Sequence, residues 1–369
     1  MKKKTFGLLA LVGSMLLVAA CATAAPAAPA AEEEKAPAEA PAEVPADAAE
    51  PAELTLWAKT IDDIDTSLAA QGVQKPKEGL KVGALLITLA NPYWVTVKEG
   101  WEDTAEELGI DVDIQTGPSE DDITGQLNTC ESMVAAGYDA IVVNTITEQN
   151  LVPCIIKGSK AGIAMIDPDG RIDIKAVEEG GGKLYQGSTL DYYEQGMLGA
   201  KYIIEKLGDK GGKVAVIEGM IGSPQGEDRR DGAKETFEAA KNIEVVAVQA
   251  GDWDRRKALD ATTNILQANP DLAGIYCAND VMALAAYEAV AAAGKEGQVL
   301  IVGTDFIEEA KEAIKDGRMA ASVAFSPYME GMISANFAVM AANGMDISKT
   351  HIISVLVSAD NVAEMEDWK

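Results

Sequence analysis

The 369-residue chain predicts an α/β protein made of two doubly wound parallel-sheet lobes. From Leu80 onward, short apolar runs alternate with amphipathic segments of about ten to seventeen residues, the rhythm of βαβ units. The runs are nearly continuously apolar, as strands are when helices cover both faces of a parallel sheet. The stretch is also too long, at roughly 290 residues, for the single core that most domains build.

Taken in order, the strands of the first half read as Leu80 to Thr88, Ile110 to Ile114, Ala140 to Asn144 and Ile163 to Asp167. Those of the second half read as Val214 to Glu218, Val245 to Gln249, Gly274 to Ala278 and Val299 to Gly303. Helices begin after Asn91-Pro92, at Asp121-Asp122 and after Asn279-Asp280, and they end at Gly109, Gly137, Gly208 and Gly294. A cut near Ser188 separates the two sets. The last segment holds a helix-like stretch, Pro327 to Asn343, and a strand-like one, His351 to Val357, and pattern alone does not assign them to either half.

Ahead of this body, Lys2, Lys3 and Lys4 precede an apolar run from Phe6 to Val18 and then Ala19, Ala20 and Cys21. The run is too short to span about 30 Å of hydrocarbon, so residues 1–20 read as a signal peptide. Residues 21–52 are mostly Ala, Pro and Glu and cannot bury a core, which makes them an extended, solvated stalk. Residues 53–79 form an N-terminal extension before the first strand.

The formal charge of −28 sets the chain against nucleic acid, whose recognition needs clustered Lys and Arg. Beyond Cys21 the cysteines are Cys130, Cys154 and Cys277. Cys130 and Cys154 lie on successive predicted helices and could meet in an oxidising compartment, or stay apart. Cys277 falls in an apolar strand and reads as a small core residue.

Doubly wound sheets place ligands at the carboxyl ends of their strands, so the residues following each run are the candidates. They are Asn91, Tyr93 and Trp94 after the first strand, Asn144 after the third and Asp167 after the fourth; in the second half they are Arg229, Trp253, Asn279 and Asp305. Rings beside Asn, Asp and Arg suit a sugar, whose C–H faces lie on aromatics while its hydroxyls donate and accept. Each also has a structural explanation: Asn91 and Asn279 as helix caps, Tyr93 and Trp94 as core, and Arg229 with Asp231 as a surface pair.

Catalysis finds little support. The one histidine, His351, lies away from every candidate, and an HExxH zinc site would need two. A carboxylate pair such as Asp167 and Asp169 is of the kind glycosidases use, but no second catalytic feature accompanies it. No enzyme activity, metal or cofactor is expected.

With these residues placed, the chain resembles the sugar-binding proteins of bacterial ABC importers, in the ribose and allose branch of the type 1 periplasmic binding protein fold. The resemblance is carried by ANPYWVTVKEG from Ala90, GSPQGEDRRDGAKETF from Gly222, GDWDRRKALDATTNILQANP from Gly251 and IYCAND from Ile275. It implies a three-crossing hinge, an N-terminal lobe of 80–190 plus 326–354, and a C-terminal lobe of 191–325 plus 355–369. It implies pocket roles for the nine strand-end residues and a pocket position for Phe325. Val18-Ala19-Ala20-Cys21 resembles the bacterial lipobox, which implies lipidation of Cys21 and an extracytoplasmic protein held to the membrane only by its acyl chains. The partners implied are a small-molecule sugar or polyol and the importer's membrane subunits, with the protein a monomer. A chemotaxis or signalling receptor using the same fold is the alternative.

Four departures bear on the ligand. The family's ribose binders have Arg after the Asp at position 167, Ser at position 190 and Gln at position 325, where this chain has Pro168, Leu190 and Phe325. The allose-type lysine near the end of the first strand aligns with Ile87. A hydroxyl facing an apolar group forfeits a hydrogen bond of about 1 to 3 kcal/mol, so the expected ligand has fewer or differently placed hydroxyls than ribose or allose.

Overall fold

A computed structural model describes residues 54–187 and 189–369; the leader, Cys21 and the stalk lie outside the described residues. Helix α1 (Leu56–Ala70) begins at Thr55, whose side chain accepts from the Ala58 N–H, and buries Thr60, Ile64 and Leu68 at four-residue spacing. Periodicity did not single out this helix within the 53–79 extension.

The chain then runs β1 (Lys81–Thr88), α2 (Pro92–Leu108), β2 (Asp111–Gly117), α3 (Ile123–Ala136), β3 (Ala140–Val143), α4 (Val152–Lys160), β4 (Ala164–Asp167), α5 (Ile174–Glu179) and β5 (Tyr185–Gln186). It continues with α6 (Tyr192–Leu207), β6 (Gly212–Glu218), α7 (Pro224–Ala239), β7 (Ile243–Ala250), α8 (Arg255–Ala268), β8 (Leu272–Cys277), α9 (Asp280–Ala292), β9 (Leu300–Asp305), α10 (Glu308–Lys315) and β10 (Ala321–Ala324). The last elements are α11 (Pro327–Ala342) and β11 (Val355–Ser358).

The first sheet has the order β2-β1-β3-β4-β5 and is parallel throughout. The second has the order β11-β10-β9-β8-β6-β7, so the same winding recurs, with β11 added antiparallel at one edge. Central strands are buried on both faces. On one side of β1, Val82, Ala84 and Leu86 meet Trp94, Val97, Trp101 and Phe337, while Leu85 on the other meets Met133 and Ile155 with Ile141 and Val143 of β3. The edge strands β2 and β7 are half-exposed instead, because each has a neighbour on one side only.

Three segments pass between the lobes: one between Gln186 and Tyr192, one at Phe325 and Ser326, and one over residues 343–354. The first and third are tied by the Ile352 N–H donating to the Thr189 carbonyl at 2.8 Å. That use of residues 351–354 explains why the last strand begins at Val355 rather than at His351. Helix α11 is buried almost all round and packs on α2, β3 and β4 of the first lobe, while β11 joins the second sheet. Beside the crossings, Trp57 of α1 lies 5.8 Å from Trp368 near the C-terminus and 5.7 Å from Tyr328 of α11. Cys130 and Cys154 form a disulfide between α3 and α4, and Cys277 is free and buried.

Candidate functional site

The carboxyl ends of the two sheets face one another across a small cavity. Its walls are Asn91, Tyr93, Trp94, Glu120 and Arg171 from the first lobe and Gln225, Arg229, Trp253, Asn279 and Asp305 from the second. Beside it lies a wider cleft that shares Asn91, Glu120 and Trp253 with it and is bordered by Asp121, Asp252, Asp254, Arg255 and Lys257.

Asn91 is the N-cap of α2: its Oδ1 accepts from the Tyr93 N–H at 3.0 Å, which leaves Nδ2 to donate to Glu120 Oε1 at 2.9 Å. Asn279 caps α9 in the same way through the Met282 N–H, at 2.9 Å, and its Nδ2 has no partner among the described residues. Capping and cavity lining are therefore two uses of one amide. The cap takes the oxygen and fixes the nitrogen toward the ligand side.

Tyr93 and Trp94 meet edge to face at 4.9 Å. Across the cavity, the Trp253 indole lies against the backbone of Gly219, where a Cβ would collide with the ring. Trp253 and Asp252 both adopt left-handed backbone angles, φ +62° and +50°, which is costly for residues with side chains. Asp305 and Phe306 do so at the end of β9, with φ +111° and +58°. The strain thus gathers at two turns that deliver cavity residues.

Arg229 is held on three sides. Nε donates to Gln195 Oε1 at 2.7 Å and Nη1 to the Ala278 carbonyl at 2.8 Å, while Nη1 pairs with Asp305 at 3.2 Å. Burial raises the Asp305 carboxyl to about 7, against the pull of the Arg229 cation. Glu120 is raised by burial too, with hydrogen bonds from Asn91 and Trp94 opposing.

Three strand-end or hinge candidates do not line the cavity. Asp167 turns away: its oxygens accept from the Ile172 N–H at 2.8 Å, the Asp169 N–H at 3.2 Å and Gln186 at 3.0 Å, so it anchors the loop after β4. Asn144 lies beneath the floor, its Nδ2 donating to Asp169 at 3.1 Å and Glu330 at 3.0 Å. Phe325 is fully buried under the Arg229 guanidinium, 5.1 Å away, and packs on Tyr93.

Three lining residues escape the strand-end rule. Arg171 follows Pro168 by three positions, and the loop turns back at Gly170, φ +74°, to bring its guanidinium into the cavity. That guanidinium pairs with Asp169 at 2.9 Å, donates from Nε to the Tyr192 hydroxyl at 2.8 Å, and lies 5.8 Å over Trp94. Gln225 precedes Arg229 by one helical turn of α7, a spacing that places both on one face. Glu120 lies in the loop after β2, inside an acidic run that reads equally well as a helix start.

The four departures acquire a different meaning from this geometry. Arg171 supplies the cationic donor that Pro168 lacks, and Ile87, Leu190 and Phe325 are core residues off the cavity wall. The ground for expecting a hydroxyl-poor ligand is thereby removed.

The periplasmic binding protein domain family matches residues 82–346. The chain is 46% identical to the D-allose-binding periplasmic protein of Escherichia coli (strain K12) over 243 residues, 66% of this chain and 78% of the relative. It is 30% identical to the ribose import binding protein of Bacillus subtilis (strain 168) over 74% of this chain and 85% of that protein. A solved ABC transporter periplasmic solute binding protein from Actinobacillus succinogenes 130z, with bound D-allose, is similar with a TM-score of 0.72 and 36% identity, covering 77% of this chain and 99% of that one. Two lobes of matching winding, three crossings, and a cavity between their strand ends agree with these likenesses, and the chain belongs to the periplasmic binding protein family, in the type 1 branch that includes allose- and ribose-binding members.

Proposed function

We propose that this is an extracytoplasmic, lipid-anchored protein that captures a neutral monosaccharide or cyclic polyol between its lobes and delivers it to an ABC importer. One observation carries the reading. Arg171 Nη1, Gln225 Oε1 and Asn279 Nδ2 are buried with no partner among the described residues, on side chains that line the cavity together with Trp94 and Trp253. Two are donors and one is an acceptor. A hydroxyl can serve either kind, and a ring bearing several satisfies all three at once while its C–H faces cover the indoles.

Charge favours a neutral ligand. Arg171 is already paired with Asp169 and Arg229 with Asp305, and Glu120 also lies on the wall, so a carboxylate ligand would enter a cavity already lined by acidic groups. The relatives named for D-allose and ribose make those sugars the leading candidates. Residues of both lobes touch the ligand, so it favours closure by the difference in its affinity for the closed and open forms.

Titration calorimetry with D-allose, D-ribose, myo-inositol and D-glucuronate tests the reading. At least one neutral compound should bind at micromolar or lower concentration and glucuronate should not; tighter binding of glucuronate, or no binding of any sugar or polyol, would overturn it. Anchoring rests on the residues before Cys21 and suits a disulfide-permissive compartment. Cys21→Ser should move the protein from the membrane fraction to the soluble one, and unchanged fractionation would refute the anchor.

A further inference from the structure

Below the cavity, a cluster of buried polar groups joins the first lobe to the helix that follows the second crossing. Glu330, on the first turn of α11, is fully buried. The Tyr93 hydroxyl donates to its Oε2, and Asn144 Nδ2 donates to its Oε1 at 3.0 Å while also reaching Asp169 at 3.1 Å. Asp169 is engaged further by the Thr189 hydroxyl at 2.6 Å and by Arg171 at 2.9 Å. The charged and titratable groups facing Glu330 are Asp169, Arg171, Tyr93 and Tyr192.

The cluster holds two carboxylates and one cation. Arg171 is close to Asp169 and balances it, so an ionised Glu330 would be a second anion in a closed interior without a cation of its own, an arrangement that buried sites avoid by taking up a proton. We propose that Glu330 is a positioning residue that stays protonated, and that as a neutral acid it fixes the Tyr93 ring and the Asp169–Arg171 pair at the cavity from the hinge side of the molecule. Burial, followed by repulsion from Asp169, raises the carboxyl well above its usual range, the direction this arrangement requires. The neutral form still accepts from Tyr93 and Asn144. Ionisation would set two anions against each other across the Asn144 amide and draw Arg171 away from the ligand. Because Glu330 sits four residues past Ser326, a hinge movement that displaces α11 shifts Tyr93 and Arg171 with it.

The inference rests on the sugar-binding reading, and its test separates the two. Glu330→Gln keeps shape and neutrality, while Glu330→Ala leaves the Tyr93 hydroxyl buried without its partner. Calorimetry with D-allose should place Glu330→Gln within about threefold of the unaltered protein and Glu330→Ala at least tenfold weaker. The infrared spectrum of the unaltered protein minus that of Glu330→Gln at neutral pH should contain the carbonyl stretch of a protonated carboxylic acid. A carboxylate band in its place, or equal loss of affinity in the two variants, would overturn the proposal. Failure of the unaltered protein to bind D-allose would leave the infrared arm to decide the proton and would count against the ligand.

Discussion

Asp167 has the residue type and the strand-end position of a ligand contact, yet its oxygens are spent on two backbone N–H groups and Gln186. Burial, with Asp169 adding repulsion, raises its carboxyl from the usual 3.8 to about 6. A carboxyl that titrates higher in the folded chain than in the unfolded one adds stability below about pH 4, and that stability is lost as pH rises toward 6. The loss amounts to about 3 kcal/mol for a shift of this size. Asp167→Asn, which still accepts from Ile172, should flatten the fall in urea-unfolding free energy between pH 4 and 6; an undiminished slope would place its origin elsewhere. Gly219 matters for a different reason, since any side chain there displaces the Trp253 ring. Gly219→Ala should weaken D-allose binding about tenfold, the loss expected when one ring contact worth ~1.4 kcal/mol is removed, with little change in melting temperature.

At the scale of elements, what periodicity can report and what it cannot are separable. The long strands and the helices capped by Asn91 and Asn279 are legible because a parallel βαβ unit repeats one pattern of burial. The two-residue β5 is too short to carry a pattern, and α1 lies in an extension with no repeat to compare. The same limit governs the site. Asn91, Trp253 and Asn279 follow directly from strand ends, whereas Arg171 depends on a loop reversing at Gly170, which spacing does not reveal. The disulfide was open from sequence because helix positions alone leave the distance between Cys130 and Cys154 undetermined. It closes a loop across 24 residues, worth about 3 kcal/mol in the unfolded chain. Neither α3 nor α4 lines the cavity, so reduction should lower the unfolding midpoint while D-allose affinity stays unchanged. A large loss of affinity in the reduced protein would contradict that separation.

For the molecule as a whole, the paired windings of the sheets set two half-sites face to face, joined by the three crossings. The distribution of indoles across this arrangement has an optical consequence. Trp94 and Trp253 stand on opposite walls of the cavity, Trp101 is sealed in the first lobe, and Trp57 and Trp368 meet beside the crossings. Ultraviolet emission therefore comes from three separate environments. Adding D-allose should change the emission of the cavity pair, and the change should vanish in a Trp94→Phe, Trp253→Phe double variant if the contact is its source. A signal surviving in that variant and lost in Trp57→Phe would instead arise at the crossings and report the angle between the lobes. The chain contains, without any attached dye, one set of emitters at the ligand and another at the pivot.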